Sequence, residues 1–170
     1  MRTVGLFGGS FDPPHVAHVM AAQQALAQLD EVWFVPVYVH PRGKRLARYA
    51  DRVAMCELAI AALGPRARVS CIEQELGPCV TLDVLDHLMP RHRETSWRLV
   101  LGADLARAAT GWRGWNEVAS RAPPIVIARE DSDLSATKIR AVLALRAFDL
   151  AAAALPGAVL RYIMSRGLYA

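Results

Sequence analysis

Two histidines, His15 and His18, close the stretch of this chain whose residue types are most suited to chemistry: Gly8-Gly-Ser-Phe-Asp-Pro-Pro-His-Val-Ala-His18. The two are three residues apart, so they share a face if a helix begins here. Imidazoles at the start of a helix can donate hydrogen bonds to an anion, and phosphate is the usual anion at that position. The stretch therefore predicts a phosphate-binding helix start.

The elements on either side of this stretch support that interpretation. A short apolar run, Thr3 to Phe7, predicts a buried strand, and Val19 to Leu29 is apolar at helical spacing. Between them, Gly8 and Gly9 have no Cβ, so a ligand can approach the backbone closely. A strand, a glycine turn and a helix start would together direct backbone N–H groups at the ligand.

The two histidines have two other interpretations. A zinc protease pattern needs histidines at i and i+4 with a glutamate between them, and this stretch has neither. An ordinary helix start with two incidental histidines would explain the pair alone, but not the whole eleven-residue string. No metal ligands are therefore predicted here.

A second candidate phosphate site follows near the C-terminal end, in Leu134-Ser-Ala-Thr-Lys-Ile-Arg140. Ser135 is a good N-cap, and Thr137 and Arg140 are three apart on the first turns of the predicted helix. A hydroxyl pair and an arginine at a helix start suit a phosphate group. We expect this segment to share a site with the histidines.

The remaining pattern predicts an α/β fold, a doubly wound and mostly parallel sheet of about five strands. Besides the first strand, the predicted strands are 32–37, 68–72, 97–101 and 124–128, and the predicted helices are 51–63 and 82–89, the latter with Thr81 as N-cap. Residues 1–170 are predicted to form a single domain, helical from about residue 135.

Composition narrows the class of protein. The chain has 170 residues, 54% hydrophobic, with a net charge of +4. No apolar run approaches the ~20 residues that span a bilayer, and the first residues lack a signal-peptide pattern, so no membrane partner and a cytoplasmic location are expected. The basic residues are too dispersed for a nucleic-acid surface. Three unpatterned cysteines indicate reduced thiols.

The string from Gly8 to His18 resembles the signature of the nucleotidyltransferase superfamily, a His-x-Gly-His motif after a Gly-x-Phe-Asp-Pro turn. Within it, the chain is most similar to the bacterial nicotinate-nucleotide adenylyltransferases. The segment from Leu134 to Arg140 resembles their Ile-Ser-Ser-Thr-x-Ile-Arg motif. Two departures stand out: Ala17 replaces the usual glycine, and only five residues separate Arg129 from Ser135, where the family has a few tens.

This resemblance implies a Rossmann-like nucleotidyltransferase fold and adenylyl transfer from ATP to nicotinate mononucleotide, giving deamido-NAD and pyrophosphate, with Mg²⁺ accompanying ATP. It implies no protein nucleophile, because the substrate phosphate attacks. The catalytic residues would be His15, His18, Lys44 and Arg140. The ATP-binding residues would be Gly8, Gly9, Ser10, Phe11, Gly102, Asp104, Arg129, Ser135 and Thr137, and the nicotinate-nucleotide contacts would be Val80, Thr81 and Trp112.

Two alternatives remain at this point. Phosphopantetheine adenylyltransferase shares the first motif, but it carries Arg-Gly-Leu-Arg where this chain has Gly102-Ala-Asp104. A nucleotide-binding sensor that has lost catalysis through the shortened segment is the second. The oligomeric state and the preference for the nicotinate over the nicotinamide nucleotide stay open.

Overall fold

Five strands form one wholly parallel sheet in the computed structural model, which describes residues 1–128 and 134–170. The strands are β1 (Arg2–Gly9), β2 (Glu31–Pro36), β3 (Ala67–Val69), β4 (Thr95–Gly102) and β5 (Pro124–Ile127). Their order across the sheet is β3-β2-β1-β4-β5. The predicted doubly wound α/β fold is confirmed.

Helices lie between consecutive strands and after the last strand. They are α1 (Val16–Leu26), α2 (Tyr49–Ile60), α3 (Ile72–Leu76), α4 (Thr81–Arg91), α5 (Ala103–Ala109), α6 (Trp115–Arg121), α7 (Ala136–Ala144), α8 (Phe148–Ala152) and α9 (Gly157–Arg166). A 3-10 helix, Ala61–Arg66, follows α2 directly. No helix in the described ranges is both long and apolar enough to traverse a bilayer.

Strand β1 is buried on both faces, as the central strand of a parallel sheet must be. Val4 and Leu6 point to one side, and Phe7 to the other. Gly5 lies where no side chain fits, because a Cβ there would come within 2.6 Å of Leu29 Cδ1. Because Gly5 has no side chain, the segment between α1 and β2 can pack closely against the sheet through Leu29.

Two hydrophobic clusters cover the two faces of the sheet, and a third holds the C-terminal helices. One face packs against α3 to α6, with Trp97 and Leu85 fully buried, and the other against α1 and α2, with Phe34 and Cys56 buried. In the third cluster, residues of α2 pack against α7, α8 and α9. The C-terminal helices thereby stand beside α2.

Several sequence expectations need correction at their boundaries. Helix α1 begins at Val16, not Val19, because His15 has the extended backbone of an N-cap. The third strand is short and gives way to α3, an element the sequence interpretation missed. Thr81 is the first residue of α4 and Val80 is its N-cap, because Asp83 accepts the N–H of Val80 at 2.8 Å.

The order of the strands determines where a ligand can bind. The chain moves from β1 outward to β2 and β3, then returns to β4 on the opposite side of β1. The crevice between two oppositely directed connections at the carboxyl ends of the strands is the usual ligand site of such sheets. Here that crevice lies beyond the ends of β1 and β4.

Candidate active site

A cleft of about 400 Å³ opens directly after the carboxyl end of β1. Three segments that are distant in sequence contribute its walls: the turn and start of α1, the loop before α2, and the start of α7. Its lining residues are Ser10, Phe11, Asp12, His15, His18, Lys44, Arg45, Leu46, Ser135, Ala136, Thr137 and Arg140. The structure thus brings together the two motifs that the sequence interpretation placed in one site.

The two histidines form one unit at the start of α1. The backbone N–H of His15 donates to Nδ1 of His18 at 3.1 Å, and the ring centroids are 3.8 Å apart. Because Nδ1 of His18 accepts, a neutral His18 carries its proton on Nε2. His15 is 2% exposed, whereas His18 is only partly buried. His18 therefore has the geometry of a donor that can reach a bound phosphate.

Aromatic side chains hold His18 in place. The ring of Phe11 lies edge-on to the imidazole with centroids 5.0 Å apart, and Phe7 is 6.1 Å away. Phe11 is itself 2% exposed and has a left-handed backbone with φ 46°. A Cβ on Gly9 would come within 3.1 Å of the Phe11 ring, so Gly9 leaves room for this packing. Gly8, in contrast, has open space around it.

Charge in the cleft favours an anion. Lys44, Arg45 and Arg140 line it, and Asp12 is the only acidic residue among the described lining residues. Burial lowers the pKa of the nearby His40, and the cations Lys44 and Arg42 lower it further, so His40 adds little positive charge at neutral pH. Lys44 and Arg45 are exposed, which leaves their side chains able to move onto a ligand.

The Asp12 carboxylate joins the three walls of the cleft. Its Oδ1 accepts the N–H of Ala47 at 3.2 Å and the hydroxyl of Tyr169 at 2.7 Å. The guanidinium of Arg140 donates to the Asp12 carbonyl oxygen at 2.6 Å and stands 3.8 Å from Oδ2. Asp12 is 2% exposed, so these bonds are largely shielded from water. The turn after β1 is thereby connected to the loop before α2, to α7 and to the C-terminal residues.

Arg52 of α2 is a buried arginine that the sequence interpretation missed. Its Nε donates to the carbonyl of Ala47 at 3.1 Å, and a terminal nitrogen donates to the carbonyl of Ser10 at 2.8 Å. It is 1% exposed and lies over the Tyr49 ring. Arg52 therefore connects the turn after β1 to the loop before α2. Its place inside a regular helix gave no signal of this role.

The start of α7 has the local structure that the second motif predicts. Ser135 is its N-cap, with Oγ accepting the N–H of Lys138 at 3.3 Å. Arg140 donates to Thr137 Oγ1 at 3.4 Å, and about a third of its side chain is exposed. Its guanidinium is thus held at one end by the backbone of Asp12 and is open to the cleft at the other. A second helix start faces the same volume as His18.

Four predicted ATP contacts in the described residues do not line this cleft: Gly8 and Gly9 at the end of β1, and Gly102 and Asp104. Gly102 ends β4 and is the N-cap of α5. Asp104 is exposed in the first turn of α5, where its carboxylate pairs with Arg107. Both stand at the carboxyl end of β4, next to β1 in the sheet. The prediction that they contact ATP stays untested, and Arg129 lies outside the described residues.

The residues predicted to bind the nicotinate nucleotide, Val80, Thr81 and Trp112, do not line this cleft. Trp112 is partly buried and packs edge-on to Trp115, with centroids 6.0 Å apart. The loop that carries Trp112 abuts the start of α4, because a Cβ on Gly114 would meet Leu82 Cδ2 at 3.0 Å. Val80 and Thr81 begin that helix. The structure thus places the segment after Trp112 against the start of α4, where Val80 and Thr81 lie.

No built metal centre is present within residues 1–128 and 134–170. Nowhere in these ranges do three or more His, Cys, Asp or Glu side chains cluster closely enough to hold an ion. The three cysteines are unpaired with one another. A metal at the cleft would need oxygen ligands from its own ligand or from water.

Comparison with known proteins agrees with this geometry. The sequence profile of the cytidylyltransferase-like family matches residues 6–142. A protein of Anaeromyxobacter sp. (strain K) named "Probable nicotinate-nucleotide adenylyltransferase" is 41% identical, over 99% of this chain and 97% of its own length. One of the same name from Myxococcus xanthus (strain DK1622) is 33% identical, over 98% of this chain and 94% of its own.

A solved structure shares the fold. The nicotinic acid mononucleotide adenylyltransferase of Plasmodium falciparum, complexed with NaAD, superposes with a TM-score of 0.83. At 18% identity it covers 99% of this chain and 98% of its own. The profile and the full-length relatives, together with the two motifs that meet in one cleft, establish that this chain belongs to the nicotinate-nucleotide adenylyltransferases of the cytidylyltransferase-like family.

Proposed function

We propose that the protein transfers the adenylyl group of ATP to nicotinate mononucleotide, giving deamido-NAD and pyrophosphate. The observation that carries the proposal is one cleft of about 400 Å³ in which His18 of α1 faces Thr137 and Arg140 of α7. Full-length similarity to relatives named for this activity, at up to 41% identity among those described above, supports the choice of reaction.

The donor phosphates belong in the cleft between the two helix starts. In the proposed complex, His18 donates from Nε2 to the reacting α-phosphate, because its Nδ1 accepts from the backbone of His15. Lys44 and Arg140 hold the β- and γ-phosphates, and Ser135 and Thr137 add hydroxyl donors beside them. Gly8, Gly9, Ser10 and Phe11 form the turn over which the nucleotide lies.

The chemical step needs no protein nucleophile. An oxygen of the 5′-phosphate of nicotinate mononucleotide attacks the α-phosphorus of ATP, and the bond to the bridging oxygen of the β-phosphate breaks. The electron pair leaves with pyrophosphate, whose growing negative charge Lys44 and Arg140 neutralise. The residues of this chain act by alignment and charge stabilisation, and that agrees with the donors and cations lining the cleft.

We propose that Mg²⁺ binds together with ATP. Asp12 is the one carboxylate among the described lining residues, and its Oδ1 already accepts from Ala47 and Tyr169. The donor set therefore fits an ion held through phosphate oxygens and water, not a protein cage. When bound, Mg²⁺ would supply positive charge to the phosphates that are being separated.

The acceptor, nicotinate mononucleotide, would bind between Trp112 and the start of α4. Trp112 offers an indole face for the pyridine ring, and the backbone amide of Thr81 would recognise the nicotinate carboxylate, since the N–H of Val80 already donates to Asp83. Gly102, Asp104 and Arg129 complete the proposed ATP contacts. We also propose that the protein is cytoplasmic, acts on free nucleotides and has no nucleic-acid partner.

The test is identification of the product. The protein is incubated with ATP, Mg²⁺ and nicotinate mononucleotide, and the mixture is separated by chromatography. Deamido-NAD and pyrophosphate formed in equal amounts are the expected result. Hydrolysis of ATP without a dinucleotide, or unchanged substrates with a folded protein that binds ATP, would contradict the proposal.

A further inference from the structure

Tyr169, the penultimate residue of the chain, contacts the turn after β1 across 157 residues of sequence. Its hydroxyl donates to Asp12 Oδ1 at 2.7 Å. Two left-handed residues, Gly167 with φ 61° and Tyr169 with φ 65°, turn the chain at the end of α9 back toward the cleft. A left-handed backbone is unfavourable for tyrosine, so the surrounding contacts must hold it there.

The bond has a consequence for the charge of the cleft. Asp12 is the one acidic residue among the described lining residues, and a free carboxylate beside a phosphate site attracts the cations that should hold the phosphates. Arg140 is the cation of the cleft nearest to this carboxylate: its guanidinium donates to the Asp12 carbonyl oxygen at 2.6 Å, yet remains 3.8 Å from Oδ2. The guanidinium therefore does not form a close bidentate pair with the carboxylate.

We infer that Tyr169 is a positioning residue of the phosphate site: by donating to the Asp12 carboxylate, it keeps Arg140 turned toward bound phosphates. The hydroxyl and the Ala47 N–H share Oδ1, which leaves that oxygen satisfied without Arg140. Burial raises the pKa of Tyr169, and the bond to Asp12 raises it further, so the hydroxyl stays a donor at all working pH values. The inference rests on the proposed function for the identity of the anion.

Removal of the hydroxyl should let Asp12 take Arg140 instead. In Tyr169→Phe the ring remains to fill its place, but Oδ1 loses a buried donor, and the nearby guanidinium is the strongest replacement. An arginine closed onto Asp12 holds a phosphate less well. We expect pyrophosphate, used as the probe with Mg²⁺, to bind about fivefold more weakly in calorimetry. The KM for ATP should rise by the same factor, with kcat within about twofold.

Tyr162→Phe is the matched control. Tyr162 also belongs to the C-terminal part of the chain, and its hydroxyl donates at 2.8 Å to Oδ1 of Asp51, another buried aspartate. Asp51 lies on α2 and does not line the cleft. This variant should lower the melting temperature much as Tyr169→Phe does, yet bind pyrophosphate like the wild type.

A double-mutant cycle separates positioning from general loosening. If Tyr169 acts through Arg140, adding Tyr169→Phe to Arg140→Lys should weaken pyrophosphate binding by less than about twofold more. An unchanged affinity in Tyr169→Phe, full additivity in the cycle, or equal weakening in Tyr162→Phe would each overturn the inference. So would a wild type that binds no pyrophosphate. Because these measurements need no acceptor, a wild type that binds pyrophosphate but makes no deamido-NAD would overturn only the proposed function.

Discussion

His15 donates its backbone N–H to Nδ1 of His18 at 3.1 Å, and this single bond defines what His18 can do in the cleft. It orients the imidazole from inside the same helix start and leaves Nε2 as the nitrogen that can donate. The bond also makes His18 part of the cap of α1. Loss of His18 would therefore change both the helix start and the proposed chemistry, and the two effects need separate variants.

His18→Asn is the variant that separates them. An asparagine Oδ1 can replace Nδ1 as acceptor for the His15 N–H, so the cap survives, whereas the donor at the Nε2 position is lost. Turnover should fall about 100-fold or more while the melting temperature stays near that of the wild type. His87→Ala, outside the described cleft lining, is the control and should keep its rate. A folded His18→Asn protein with near-normal kcat would refute the role given to His18.

Arg140→Lys tests whether the shape of the guanidinium matters as well as its charge. Arg140 donates to Asp12 and to Thr137 at the same time, a geometry that an ammonium group does not reproduce. The KM for ATP should rise about tenfold in initial-rate assays. Arg161→Lys, on α9, supplies the matched control, with unchanged constants. Equal constants in both variants would mean that Arg140 contributes charge alone.

Alanine should destabilise the protein at only one of two glycines of β1. A Cβ at Gly5 would come within 2.6 Å of Leu29 and 2.7 Å of Val100, so Gly5→Ala should lower the free energy of unfolding by about 2 kcal/mol in urea titrations. Gly8 has nothing within 4 Å, so Gly8→Ala should leave that free energy unchanged.

The same Gly8→Ala variant also tests whether ATP lies over the turn after β1. If the base or phosphates of ATP lie over the turn, an added methyl group should raise the KM for ATP about tenfold. Unchanged ATP kinetics in Gly8→Ala would place the nucleotide away from the turn and contradict its assignment.

Ionisation of Glu73 should make the free energy of unfolding depend on pH, and the direction of its pKa shift determines the sign. Burial raises its pKa above the ordinary 4.5, although the N–H of Tyr38, which it accepts at 2.9 Å, opposes the rise. The stability that its protonated form contributes is complete below pH 4.5 and is lost as the pH rises through the folded-state pKa. Glu73→Gln still accepts from Tyr38 but does not ionise.

Urea titrations at several pH values test this. The free energy of unfolding of Glu73→Gln should increase relative to that of the wild type as the pH rises from 4 to 7. The exposed Glu57→Gln on α2 should show no such trend. A difference between Glu73→Gln and wild type that does not change with pH would contradict the assigned shift.

The local pattern of the chain was sufficient for the parts of the site that lie at helix starts. The strand, turn and helix around His15, and the Ser135 cap of α7, follow from turn chemistry and apolar spacing, and both are confirmed. Helix α3 was missed because its five residues are too few to show a period. The division into a single domain stays a prediction of the sequence.

The long-range bonds could not be predicted in the same way. Arg52 lies in a helix like any surface arginine, and only the packing of α2 under the cleft buries it. The bond between Tyr169 and Asp12 depends on where the C-terminal helices stand, which no local pattern encodes. The resemblance to a family supplied the reaction, whereas the tertiary structure supplied these contacts.

The most direct test of the central claim is pyrophosphate release from ATP and Mg²⁺ with three acceptors compared side by side: nicotinate mononucleotide, nicotinamide mononucleotide and phosphopantetheine. We expect release with nicotinate mononucleotide at a kcat/KM at least about tenfold above either of the others. Release with phosphopantetheine alone would contradict it and indicate the other adenylyltransferase. Release with none, in protein shown to bind ATP, would contradict it and indicate a nucleotide sensor.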